Sequence, residues 1–186
     1  MIPQPLSFSN LQVEPKEMNP RVPESLETSR LILRQFREGD WQDLHLYYSS
    51  ETATQFTVGR AFSEGETWRT LCSMVGHWQL RGYGPYAIEH KETGKVLGTA
   101  GFWYPNDWPE PEIKWALAPE YWGQGYASEA ARAIQQAGRE CMPDVRLISF
   151  VHSENLASIK LAKAVGAIFE KEVNFRGGLW HIYRHP

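Results

Sequence analysis

The run Trp115-Ala116-Leu117-Ala118-Pro119-Glu120-Tyr121-Trp122-Gly123-Gln124-Gly125-Tyr126-Ala127-Ser128-Glu129-Ala130 decides how this chain is read. An apolar strand enters a tight loop with two glycines, and a helix of small residues begins at once. Main-chain N–H groups in such a loop and in the first helical turn lack partners within the helix. The helix dipole adds positive potential at that end. Together they form an anion site that needs no side-chain charge. Glycine suits the loop because a Cβ would obstruct the approach of a phosphate. A P-loop would require Lys and Ser or Thr directly after its last glycine, where Tyr126 and Ala127 stand. A dinucleotide fingerprint would require a third glycine, where Ser128 stands. A simple helix cap is the plainer alternative.

Outward from this loop, the chain divides into strands and helices. Upstream, residues 30–37 alternate as a strand, and Asp40 is placed to cap a helix running to about Ser49. Ser63-Glu64-Gly65-Glu66 has the form of a capping box. Trp68, Leu71, Cys72, Val75 and Trp78 follow it at helical spacing. Strands are expected at 86–89 and 96–103, joined by the turn Lys91-Glu92-Thr93-Gly94. A further strand covers 112–118. Downstream come a helix over 128–140, a strand over 147–152, a helix over 155–165 bearing Leu156, Ile159, Ala162 and Val165, and a closing hairpin around Gly177-Gly178. The order β-α-α-β-β-β-α-β-α-β-β predicts a single α/β (α+β) domain with a mixed sheet covered on both faces. Residues 1–25, rich in proline, read as an extended arm, and the domain runs from 26 to 186.

The chain has 186 residues, enough for one domain with a substantial core. A formal net charge of −3 argues against nucleic acid as a partner. No apolar run reaches the length of a membrane span, and the first residues lack the pattern of a signal peptide, so a cytoplasmic protein is expected. The two cysteines, Cys72 and Cys141, are expected to be reduced and mostly buried. His181 and His185 have no evident third ligand, so no metal site is expected.

The glycine-loop segment resembles the cofactor loop of the GNAT N-acetyltransferase superfamily, Arg/Gln-x-x-Gly-x-Gly/Ala, matching at Gly125 and Ala127. Trp122 departs at the first position. That departure, with Glu129 and Ala130, is similar to the RimJ/RimL branch that acetylates ribosomal-protein N-termini. Leu26-Glu27-Thr28-Ser29-Arg30-Leu31-Ile32-Leu33-Arg34 resembles the branch's opening strand, and 93–101 its third-strand entry. Asn155-Leu156-Ala157-Ser158 and Val165-Gly166-Ala167 resemble its N-x-x-S…G-F segment, with Ala167 in place of Phe.

The resemblance implies a mostly antiparallel sheet whose strands at 112–118 and 147–152 splay apart, with the pantetheine arm of acetyl-CoA lying between them as an added strand. It implies that Trp115 and Leu117 supply main-chain groups to that arm. Trp122, Gly123, Gln124, Gly125, Tyr126, Ala127 and Ser128 would surround the pyrophosphate, and Asn155, also a natural N-cap, would bond the cofactor near the pantetheine. Lys160 and Lys163 are either partners of the 3′-phosphate or solvated helix lysines. Glu112 is the candidate general base, in competition with Asp107 and Glu110. The tyrosine that many superfamily members use as general acid is replaced by Ala162. The acceptor is then a protein N-terminus or a small amine, in a cleft formed by 103–111 and 64–80. Antibiotic or polyamine acetylation and a non-catalytic acyl-CoA-binding module are the alternatives. The arm is also placed to wrap a second subunit of a homodimer.

Overall fold

The computed structural model describes residues 21–186. The elements are β1 (Ser25–Glu27), β2 (Leu31–Arg34), α1 (Trp41–Tyr48), α2 (Glu51–Thr54), α3 (Glu64–Arg81), β3 (Pro85–His90), β4 (Val96–Trp103), β5 (Glu112–Leu117), α4 (Tyr126–Cys141), β6 (Ile148–His152), α5 (Leu156–Ala164), β7 (Ile168–Phe175) and β8 (Gly178–Arg184). All eight strands form one sheet in the order β1-β2-β3-β4-β5-β6-β8-β7. Every neighbouring pair is antiparallel except β5 and β6. The expected mixed, mostly antiparallel α/β domain is therefore the fold.

Two apolar layers sandwich the sheet. Tyr86, Ile88, Phe102, Ile113 and Leu117 pack with Ala130 and Ile134 of α4. Ala87, Val96 and Ala116 pack with Leu44, Tyr47 and Tyr48 of α1 and with Leu71 and Met74 of α3. The capping box at the start of α3 forms as expected, with Ser63 and Glu66 bonding each other's main chain. Asp40, expected to cap α1, makes no side-chain cap bond there. It is drawn instead to the buried Arg34 guanidinium at 2.7 and 2.9 Å, a stronger, charge-assisted partner.

Several apolar faces are rotated from their expected positions. In α3 the buried positions are Thr67, Leu71, Met74, His77 and Trp78, so Trp68 and Cys72 turn outward. Cys141, at the end of α4, is exposed too. The expectation of buried thiols is thus corrected, because each lies on the solvent side of its helix. Leu156 is 73% exposed in the first turn of α5, whose one fully buried side chain is Ala162. Residues 1–20, most of the expected arm, lie outside the described residues. Within residues 21–25, Val22 is buried, Arg21 N–H donates to the Gly82 carbonyl at 2.7 Å, and β1 begins at Ser25.

Gly98 in β4 faces β5 at a distance only glycine permits. An added Cβ would lie 2.1 Å from the Ala116 carbonyl oxygen and 2.7 Å from Leu117 Cα. Both are main-chain atoms of the neighbouring strand, so relief would require separating the strands. Gly98→Ala should destabilise the domain by about 3 kcal/mol, as overpacking does, read as a lower urea midpoint with an unchanged slope.

Candidate active site

The parallel pair β5–β6 is joined at one end only. Glu112 pairs with Ile148, and Ile148 N–H donates to the Pro111 carbonyl at 3.0 Å. One residue further, the Ser149 hydroxyl, rather than a main-chain amide, donates to the Ile113 carbonyl at 3.0 Å. Beyond that point the strands share no ladder bond. The register identifies which groups are left open. Ala118 N–H donates to the Leu97 carbonyl across the Gly98–Leu117 pair. Alternation along an antiparallel pair therefore turns the main-chain groups of Ile113, Trp115 and Leu117 away from β4, toward β6. The Leu117 carbonyl is taken by the Trp122 indole at 2.7 Å. The Leu117 N–H and both main-chain groups of Trp115 have no partner among the described residues.

The glycine loop continues from this open edge. Gly123 and Gly125 take φ of 74° and 83°, which glycine adopts without strain. Gly125 caps α4, which starts at Tyr126, two residues before its expected start. The first helical bond is from Glu129 N–H to the Gly125 carbonyl. The six successive amides of Gly123, Gln124, Gly125, Tyr126, Ala127 and Ser128 donate to no described residue. An added Cβ at Gly123 would meet no protein atom within 4 Å, so within the protein it is the positive φ that favours glycine there.

A side chain from a distant strand braces this loop, which the sequence did not reveal. Arg30, just before β2, donates to the Gln124 carbonyl at 3.0 Å and lies 4.3 Å from the centre of the Tyr126 ring. Its Nε donates to Glu129 at 2.7 Å, and Glu129 also accepts the Thr28 hydroxyl at 2.6 Å and the Arg30 amide at 2.9 Å. The only sign in the sequence was that Glu129 and Thr28–Arg30 both belonged to matched motifs.

The V between β5 and β6 opens into a cavity of about 280 Å³. Glu112, Trp115, Asn155 and Ser158 line it, as do Trp103 at the end of β4, Asp107 and Trp108 of the β4–β5 loop, and Thr70 and Met74 of α3. Two further walls were not anticipated. Tyr47, Tyr48, Phe56 and Thr57 come from the α1–α2 region, and Arg176 and Trp180 from the β7–β8 hairpin. Asn155 caps α5 by accepting Ser158 N–H at 3.1 Å, and Ser158 accepts the Trp115 indole at 3.2 Å. Lys160 is exposed and Lys163 is exposed, and neither makes a side-chain bond to the described residues.

Of the three competing carboxylates, Glu112 alone is buried. Asp107 pairs with Arg176 at 2.5 Å, and Glu110 with Arg184 at 2.7 Å. The Glu112 carboxylate accepts the Phe150 amide at 3.3 Å. Burial pushes its pKa up to about 7, while the Lys114 charge, the Trp108 indole and the Phe150 amide pull the other way. The Trp108 Nε1, close enough to influence Glu112, is buried, and no acceptor among the described residues meets hydrogen-bonding geometry with it. Burial lowers the Lys114 ammonium, opposed by Glu112. Ala162 is fully buried with Ala167 and Tyr183. Among the described residues no three His, Cys, Asp or Glu side chains are placed to hold a metal ion, and no helix is long and apolar enough to cross a membrane.

An acetyltransferase (GNAT) domain model matches residues 30–168. The chain belongs to the GNAT acetyltransferase family. As a member of it, the protein is an acyltransferase. Uncharacterized N-acetyltransferase p20 of Bacillus licheniformis is 32% identical over 80% of this chain and 84% of its own length. Uncharacterized N-acetyltransferase YoaA of Bacillus subtilis is 29% identical over 79% and 83%. Among solved structures, an acetyltransferase of Agrobacterium tumefaciens superposes with a TM-score of 0.78 at 27% identity, covering 99% of each chain. RimL, a ribosomal L7/L12 α-N-protein acetyltransferase solved with coenzyme A, shares the fold with a TM-score of 0.70 at 20% identity, over 88% of this chain and 96% of its own.

In this GNAT domain the root of the V is held by a directional chain. The Gln135 amide donates to the Val165 carbonyl at 3.0 Å and to His185 Nδ1 at 2.9 Å. His185 Nε2–H then donates to Ser149 at 2.9 Å, whose hydroxyl donates to Ile113. That order requires neutral imidazole, and burial first, with the Arg139 and Arg184 charges, lowers its pKa to about 4. A folded pKa below the unfolded value of about 6.5 means the contribution is complete above pH 6.5 and is lost as pH falls toward 4. Stability should drop by up to about 3 kcal/mol across that window, and His185→Leu should flatten this part of the profile in urea titrations at a series of pH values.

Proposed function

We propose that this protein transfers the acetyl group of acetyl-CoA to a primary amine by direct attack with both substrates bound. The observation that carries the reading is the pair of stretches of unpaired main-chain groups, on Trp115 and Leu117 of β5 and on the six amides of residues 123–128. An extended amide-bearing arm can add to an open strand edge, and linked phosphates suit a helix start with free N–H groups. Coenzyme A combines both chemistries in one molecule. Trp115 and Leu117 would hold its pantetheine, Asn155 would bond nearby, and Gly123–Ser128, braced by Arg30, would hold its pyrophosphate. When bound, the cofactor supplies the activated thioester.

Glu112 is the general base. An ammonium has no free lone pair, so it must lose a proton before attack, and a carboxylate with a pKa near 7 accepts one efficiently at neutral pH. The new C–N bond forms as the C–S bond breaks, and the departing sulfur takes up a proton. The Leu117 N–H, unpaired at the split, is the donor placed for the developing negative charge on the carbonyl oxygen. The cavity of about 280 Å³ fits a small amine, or the first residue of a peptide N-terminus of the kind RimL acts on.

Thiol release from acetyl-CoA, followed with a panel of amino acids, peptides, polyamines and aminoglycosides, tests the transfer. Tight coenzyme A binding with no release for any acceptor would refute it. With an accepted amine, kcat/KM should rise with pH through about 7 as Glu112 deprotonates. Glu112→Gln, which retains an acceptor for the Phe150 amide, should lower kcat by roughly 10²-fold and remove that rise. An unchanged profile would assign the limb to another group.

A further inference from the structure

Lys114 stands two residues beyond Glu112 on β5, hence on the same face of the strand, and both side chains line the cavity. The other cation lining it, Arg176, is occupied by Asp107 at 2.5 Å and by the rings of Trp108 and Phe175, each 5.0 Å away. Lys114 has no carboxylate within ion-pair distance among the described residues, Glu112 included. Its Nζ lies 5.3 Å from the centre of the Trp103 ring. The buried Trp108 Nε1, beside Glu112, lies on the same cavity wall. An ammonium with no carboxylate at ion-pair distance in an aromatic pocket is costly, and an anionic acceptor group would offset that cost.

Resting on the acetyltransfer reading, we propose that the acceptor is an aminocarboxylate, with its amine at Glu112 and its carboxylate held by Lys114. Same-face neighbours on a strand are roughly 7 Å apart, a span that suits an amine and a carboxylate separated by a few atoms. Charge balance favours the same pairing. When Glu112 takes the ammonium proton it becomes neutral, and the substrate carboxylate is then the counter-charge that Lys114 otherwise lacks. The carboxylate is unchanged by the reaction, in which N–C forms, C–S breaks, and the sulfur leaves as the thiol. Trp103, Phe150 and Trp180 line the same cavity, so an aromatic or other apolar body attached to the two charged groups fits it.

The test uses the protein saturated with coenzyme A and two matched probes, indole-3-propionate and indole-3-propionamide, titrated calorimetrically. The acid should bind at least about tenfold tighter than the amide, as expected for about 1.4 kcal/mol of ion pairing. Lys114→Met should abolish the difference and Lys114→Arg should keep most of it. Equal binding of acid and amide, or a preference that survives Lys114→Met, overturns the proposal, and the wild-type comparison and Lys114→Arg decide even if the Met variant does not fold. Thiol release with L-tryptophan and tryptamine separates the two readings. If tryptamine is acetylated as fast as L-tryptophan, the carboxylate site is wrong and transfer stands. If the acid is preferred but no amine releases thiol, the carboxylate site stands and transfer fails.

Discussion

The site depends on a sheet that fails to close. β5 and β6 are pinned at Glu112 and Ile148 and then part, because a serine hydroxyl takes the carbonyl a main-chain amide would otherwise claim. A buried open edge is costly unless something supplies its missing partners. The Gln135–His185–Ser149 chain, assembled from α4, the C-terminal segment and β6, holds the split at one position. The opening at its far end leads by a short connection into the glycine loop, so main-chain donors suited to an extended arm and to its phosphates follow one another along the chain.

The same split determines the electrostatics. Glu112 lies at its closed end, where it caps the Phe150 amide and is shut off from water. Desolvation then raises its proton affinity into the range useful for a base, with no other acid needed. Lys114, one step along the same face, feels the opposite pressure and has no carboxylate within ion-pair distance among the described residues. Two oppositely charged groups too far apart to pair, in an aromatic cavity, are poised for a ligand that carries both charges.

Bracing comes from residues far away in the chain. Arg30 precedes the second strand, yet it ties down the Gln124 carbonyl and the Tyr126 ring. The hairpin of β7 and β8 reaches over the cavity, where Arg176 joins it to the β4–β5 loop through Asp107 and Trp108. Loops that would be mobile alone are thereby joined to the sheet, which suits a site whose geometry must be kept.

Local rules made much of this legible in advance. The capping box at Ser63–Glu66, the turn at 91–94 and the glycines at 123 and 125 are settled by the few residues around them, through hydrogen bonds and positive φ that neighbours dictate. Alternation and helical spacing likewise placed the principal strands and helices. Glu112 was singled out by the family resemblance, from its place at the start of a strand. Its burial, its shifted pKa and its bond to Phe150, 38 residues away, were decided by packing. So were the link of Arg30 to Glu129 across 99 residues, the exposure of Cys72, Cys141 and Leu156, and the tyrosine wall of the cavity. Periodicity reports that a face is apolar. Which neighbour it meets, and how much water remains there, exist only once distant segments are folded together.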